Sequence, residues 1–201
     1  MIKDLDDTIQ ALLTERAPPG SELAGAEISF ELPDAEWRTR VSSLTVNCYL
    51  YEIRDNTGLR TREPVLQRSA DGMRVSRRPP PARIDCAYCI TAWSRMRDES
   101  IADEHRLLSQ VLMVLLKHPT IPPEVLQGSL VDQIPPYPTV IASPDGVKNQ
   151  PEFWGALDQQ LKPSLNYVMT LAMMLDEEPA ELGRAVEEVI IDTSHLEEFP
   201  G

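Results

Sequence analysis

Arg83-Ile84-Asp85-Cys86-Ala87-Tyr88-Cys89-Ile90-Thr91-Ala92-Trp93, followed after a polar break by the run from Ser100 to His118, marks the centre of the architecture. In the first part Ile84, Cys86, Tyr88, Ile90 and Ala92 share one phase of a two-residue period. Asp85, Ala87, Cys89, Thr91 and Trp93 share the other. Successive side chains of a strand point to opposite faces, and both phases here are largely apolar, so the spacing predicts a central strand covered on both sides. In the second part Leu107, Leu108, Val111, Leu112 and Leu115 recur at helical spacing. Ser100 stands as N-cap, Asp103 and Glu104 bring negative charge to the positive end of the helix dipole, and Pro119 stops the helix after Lys117 and His118. Leu112 falls mid-stripe, where a buried leucine stabilises by about 1.5–3 kcal/mol before entropy is subtracted.

Before this stretch, Ile2, Leu5, Ile9, Leu12 and Leu13 form one face of an amphipathic helix that Pro18-Pro19-Gly20 terminates. A short strand is expected over Ile28–Leu32 and a longer one over Val41–Arg54, with Leu44, Val46, Cys48 and Leu50 on one face and Tyr49, Tyr51 and Ile53 on the other. Asp55-Asn56-Thr57-Gly58 marks a turn. Residues 59–82 are basic and bounded by proline, and Val65-Leu66-Gln67 with Met73-Arg74-Val75 reads as a hairpin around Ala70-Asp71-Gly72. After the long helix, short strands are expected at Leu126–Val131 and Thr139–Ala142, and a helix over Glu152–Leu161. A mostly buried strand is expected over Ser164–Leu175, a solvated acidic loop and helix face over Asp176–Glu188, and a last strand over Val186–Asp192. Strands outnumber helices and do not alternate with them strictly, which predicts the α+β class: a mixed β-sheet flanked by helices.

Net charge is −13 over 201 residues, and it is uneven: residues 1–100 carry 14 basic and 16 acidic side chains, residues 101–201 carry 5 and 16. That balance argues against nucleic acid as a partner, which would require a basic surface, and favours a basic protein partner. The charged start at Lys3-Asp4-Leu5-Asp6-Asp7 does not resemble a signal peptide, and the longest aliphatic run, Val111–Leu116, is too short to cross a bilayer. The three cysteines are odd in number and lie on expected strands, which predicts a soluble chain folded in a reducing compartment rather than a disulfide framework.

Cys86-Ala87-Tyr88-Cys89 has the spacing of a metal or redox pair, but strand positions three apart face opposite ways, so the thiols would not converge. Glu104-His105 resembles the end of an H-x-x-E-H motif whose first histidine is replaced by Ile101, and His105, His118 and His195 are scattered. No nucleophile elbow, phosphate loop or dinucleotide fingerprint occurs, and the carboxylates of residues 176–188 do not match a calcium loop. No catalytic residue, metal ligand or cofactor is therefore expected. Arg74, Arg77, Arg78 and Arg83 form the one basic cluster, either a grip for an acidic neighbour or simply an exposed hairpin.

Thr45–Asn56, Arg83–Ser94, Asp103–Leu108, Phe153-Trp154, the run Lys162–Thr170 and the N-terminal helix together resemble, in order and over nearly the whole chain, the cap or tail-terminator proteins of phage-tail-like contractile injection systems. Departures are few: cysteines stand where that family's strands usually carry aliphatic residues, and Leu171-Ala172-Met173-Met174 is an unusual strand end. The resemblance implies a non-enzymatic structural subunit with a terminator-like fold. It implies a single cap domain over 1–192, with the basic hairpin around 59–82 as an insertion and an acidic tail at 193–201. It also implies a six-membered ring that ends the inner tube and outermost sheath layer, made in the cytoplasm and built into a particle that is released or retained, without membrane insertion. Another neck or completion subunit of such a particle, and an unrecognised metal-dependent enzyme, are the alternatives.

Overall fold

The computed structural model describes residues 1–61, 63, 65–68, 74–95, 100–131, 137–142, 146–175 and 180–184. In chain order they form α1 (Ile2–Glu15), α2 (Glu22–Gly25), β1 (Glu27–Ser29), α3 (Ala35–Arg40), β2 (Thr45–Asp55), β3 (Val65–Arg68), β4 (Arg74–Arg78) and β5 (Ala82–Trp93). There follow α4 (Ser100–Lys117), β6 (Thr139–Ile141), α5 (Gln150–Ala156), β7 (Leu165–Met173) and β8 (Ala180–Arg184). The chain divides into two compact units, Met1–Arg60 with Ala82–Met173, and Thr61–Pro81 with Met174–Gly201.

The first unit is built on a five-stranded sheet of order β1-β2-β5-β7-β6, with β1 parallel to β2 and the other neighbours antiparallel. The expected central strand is its middle member, pairing Tyr49 with Cys89 on one side and Tyr88 with Tyr167 on the other. Its two phases serve two separate cores. Cys86, Tyr88, Ile90 and Ala92 join Leu5, Ile9, Leu12 and Leu13 of α1 and Leu107, Val111, Val114 and Leu115 of α4. Cys89 and Trp93 join Trp37, Trp154 and Leu157 on the opposite face. The mixed α+β class follows directly from this two-sided cover.

Polar groups fix how α1 meets the sheet. Tyr88 is fully buried, yet its hydroxyl donates to Asp6 Oδ1 at 2.8 Å. Thr8, also buried, accepts from the Gln127 amide at 3.0 Å. Asp4 accepts from the Ser129 amide at 3.1 Å and pairs with the Met1 ammonium at 3.0 Å. Gly128 lies between them at φ +54°, and a Cβ there would stand 2.5 Å from the Asp4 carboxyl carbon.

That arrangement overturns one expectation. Residues 126–131 do not form a strand; Gly128–Leu130 is a 3-10 turn whose neighbouring amides bond to α1 side chains rather than to a ladder. Three more differences have local causes. Leu112 is half-buried and Val114 takes its place in the stripe, because α4 turns Leu107, Val111, Val114 and Leu115 inward. The helix expected over 152–161 ends at Ala156, where Asp158 adopts φ +53° and breaks it. A bulge between Leu50 and Glu52 inserts one residue into β2 and reverses its sidedness. Ile53 therefore pairs with Cys86 and is 52% exposed at the rim of the helical face instead of following Tyr49 and Tyr51.

In the second unit β3, β4 and β8 form an antiparallel sheet with β4 in the middle. The expected hairpin is present, its turn lying outside the described residues. Strand β8 was not expected: residues 176–188 read as loop and helix face, whereas Ala180–Arg184 pairs with β4. The last strand expected at 186–192 and the acidic tail lie outside the described residues.

Candidate assembly surfaces

The second face of the large sheet is an aromatic and cationic cluster. Asp34 caps α3 by accepting from the Trp37 amide at 2.7 Å, which sets Trp37 edge-on to Trp93 with ring centroids 5.3 Å apart. Asn149 caps α5, placing Phe153 and Trp154 so that Trp154 lies 6.4 Å from Trp93. Aromatic pairs of this kind add about 0.5–1.5 kcal/mol each to simple burial. Lys162 Nζ lies 3.7 Å from the Trp93 ring centroid, and the Arg38 guanidinium carbon 5.4 Å. Lys162 also bonds the Ala92 carbonyl and pairs with Glu104 Oε2 at 3.0 Å, the two side chains being only 15% and 17% exposed. Glu104 Oε1 accepts from the Ser94 amide at 3.0 Å, and Arg38 donates to the Ser94 carbonyl at 2.8 Å. Burial pulls Lys162 below the ordinary lysine pKa, and Glu104 draws it partly back. Lys162, Glu104 and Arg38 thus join the end of β5 to α3, to the start of α4 and to residue 162, and the cluster is a brace.

The thiols are inert for a related reason. Burial pushes Cys86 and Cys89 up to about 11 and Cys48 higher still, so the reactive thiolate is scarce at neutral pH. Cys86 and Cys89 belong to the two different cores, as the strand period requires. Among the described residues no group of His, Cys, Asp and Glu is placed to hold a metal ion, and no helix is long and apolar enough to cross a membrane. One further buried carboxylate, Asp85, sits on the aromatic side of the sheet among Thr170 Oγ1 at 2.7 Å, Asn56 Nδ2 at 3.0 Å and Arg54 Nε at 3.5 Å. Sequence spacing did not single it out, because its partners lie on two other segments, the end of β2 and β7.

The basic residues separate by unit. Arg74, Arg77 and Arg78 lie on β4, the middle strand of the small sheet, and Arg77 is exposed. Arg83 lies on β5 of the large sheet and is half-buried. The register adds a residue that the sequence reading passed over: Arg184 of β8 stands directly opposite Arg74.

A mixed sheet covered on both sides by two separate cores, with its thiols suppressed by burial, defines an α+β domain. The chain belongs to the family described as the Pvc16 N-terminal domain, whose model matches residues 4–188. No curated protein matches it in sequence. Among solved structures it is similar to the sheath/tube terminator, in the extended state, of an extracellular contractile injection system, PVC, at TM-score 0.64 and 24% identity over 98% of this chain. It is also similar to the tube-terminating cap of the anti-feeding prophage, at TM-score 0.61 and 21% identity over 96% of this chain. This chain spans 65% and 61% of those two chains.

Proposed function

We propose that this chain is the terminating cap of a contractile injection particle: a structural subunit that closes into a ring, ends growth of the inner tube and sheath, and holds the sheath extended. The observation that carries this reading is the family match over 4–188, together with likeness, over almost the whole chain, to both a sheath/tube terminator and a tube-terminating cap. The physical requirement is simple. A stack of identical rings presents the same end after each addition, so growth stops only when a different subunit offers one matching face and one that does not match. Head-to-tail contacts between copies of this chain close such a ring, and six copies would match a six-fold tube. The chain is made in the cytoplasm and reaches its place by assembly, without catalysis or a cofactor. Residues 1–192 serve as the cap domain, and the arginines of β4 with Arg83 meet acidic surface on a neighbouring copy or on the sheath.

Electron microscopy of particles from a strain lacking this chain is the test. The expected result is uncapped tubes of uneven length or prematurely contracted sheaths, with a tagged copy restoring normal particles and labelling one end only. Capped particles of normal length in the deletion strain would overturn the reading.

A further inference from the structure

The sheet order leaves β1 and β6 at its two edges. The β6 edge is occupied at one end: the Thr139 amide donates to the Pro119 carbonyl at 3.1 Å, and Thr120 bridges Pro138. The β1 edge differs. The Glu27 amide donates to the Leu44 carbonyl of the β2 side at 3.0 Å, and in a parallel ladder alternate residues bond to the same neighbour. The N–H and C=O of Ile28 therefore point away from the sheet. A groove of about 390 Å³ runs here, lined by every residue from Glu27 to Glu31 and by Trp37, Arg40 and Val41. Its lining includes Ile28 and Phe30, which pack on the helical core, as well as Ser29, which bonds Trp37 on the other face. The groove thus runs along the whole of β1, with Trp37, Val41 and Thr45 bringing the aromatic side of the sheet to it.

We infer that this edge receives an extended, basic segment of another protein, which adds to the sheet beside β1 as a further strand. Backbone groups at an open edge supply affinity, and the flanking side chains supply selection. Selection here is electrostatic. Glu31 is paired with Arg40 at 2.7 Å, while Glu27 accepts only the Ser43 hydroxyl at 2.7 Å and has no ion pair among the described residues. The groove keeps one uncompensated carboxylate, which a lysine or arginine of the incoming strand would meet. The chain's own tail, Leu196-Glu197-Glu198-Phe199, carries the wrong charge, so a segment of another protein is the fitting occupant. The inference rests on this edge and not on the terminator reading, and either can fail without the other.

The test uses the full chain and a synthetic peptide of about eight residues, alternating valine and threonine around one central lysine. Its counterpart carries glutamate at the centre. Amide hydrogen exchange at Ile28 should slow at least ~tenfold with the lysine peptide and less with the glutamate peptide. Ile28→Pro removes the outward N–H at a position where an edge strand tolerates proline, and should abolish calorimetric binding while circular dichroism and melting stay near wild type. If that variant does not fold, Glu27→Lys, at an exposed side chain, should reverse the preference between the two peptides. Unchanged Ile28 exchange with both peptides, or undiminished binding by a folded Ile28→Pro, overturns the inference. Equal protection by both peptides overturns the stated chemistry of the partner.

Discussion

At the scale of single residues, burial decides outcomes that periodicity ranks wrongly. Val111 is fully buried and Leu112 is not, although they are neighbours on α4. Val111→Asp places an unpaired carboxylate in the core and is expected to prevent folding, whereas Leu112→Asp should leave a folded protein with a melting temperature lowered by several degrees. Thermal melts followed by circular dichroism separate the two cases. The Glu104–Lys162 pair allows a second prediction. Removing Glu104 alone leaves a mostly buried ammonium and an unbonded Ser94 amide, so Glu104→Ala should cost about 3 kcal/mol in urea unfolding. Replacing both members by apolar groups should cost less. The thiols give a pH dependence with a definite sign. Cys86 and Cys89 release their protons from the ordinary value of 9.0 when unfolded but only near 11 when folded, so the unfolded state holds fewer protons in that window. Stability should therefore fall as pH rises from 9 to 11. A triple alanine variant of Cys48, Cys86 and Cys89 should show a shallower fall in urea midpoint over the same range. Some slope remains, because burial also raises the phenols of Tyr88 and Tyr167.

At the scale of elements, the sequence made legible whatever depends on local alternation. The central strand, its buried neighbour at 165–173, the first and fourth helices and the basic hairpin all appear where period two or period 3.6 places them. What escaped depends on distant partners. Gln127 and Ser129 take their backbone bonds from α1, more than a hundred residues away, and no local pattern distinguishes that from a strand. β8 is short and acidic at Glu181, and only its pairing with β4 reveals it. The bulge in β2 shifts Ile53 by a single residue that composition does not mark. The basic cluster was legible as composition, but not its division between two sheets or the addition of Arg184. For that strand we expect reversal of Arg74, Arg77 and Arg78 to glutamate to reduce incorporation into particles, with melting of the isolated protein little changed. Wild-type incorporation should weaken as salt rises, since exposed charges are screened beyond about 8–10 Å at ordinary ionic strength. Incorporation of the reversed protein at wild-type levels would remove these arginines from the contact.

At the scale of the whole molecule, the proposed role asks for rigidity and shaped surfaces rather than a pocket, and the buried polar groups of the large unit are used accordingly. Tyr88 with Asp6, Asp85 with Thr170, and Glu104 with Lys162 each tie together segments distant in sequence. A closed ring of six copies is expected from sedimentation equilibrium of the purified chain at high concentration or with tube protein present; a strictly monomeric species under both conditions would count against self-closure. The brace on the sheet's second face has one more consequence, a spectroscopic one. The chain has three tryptophans, Trp37, Trp93 and Trp154, and all of them stand in that cluster. Tryptophan fluorescence, excited selectively beyond the tyrosine band, therefore comes from one side of the sheet alone, while the helical ellipticity of α1 and α4 comes from the other. Unfolding curves recorded by the two signals superimpose if both sides melt as one cooperative body. Any gap between them measures how far one side can loosen while the other holds.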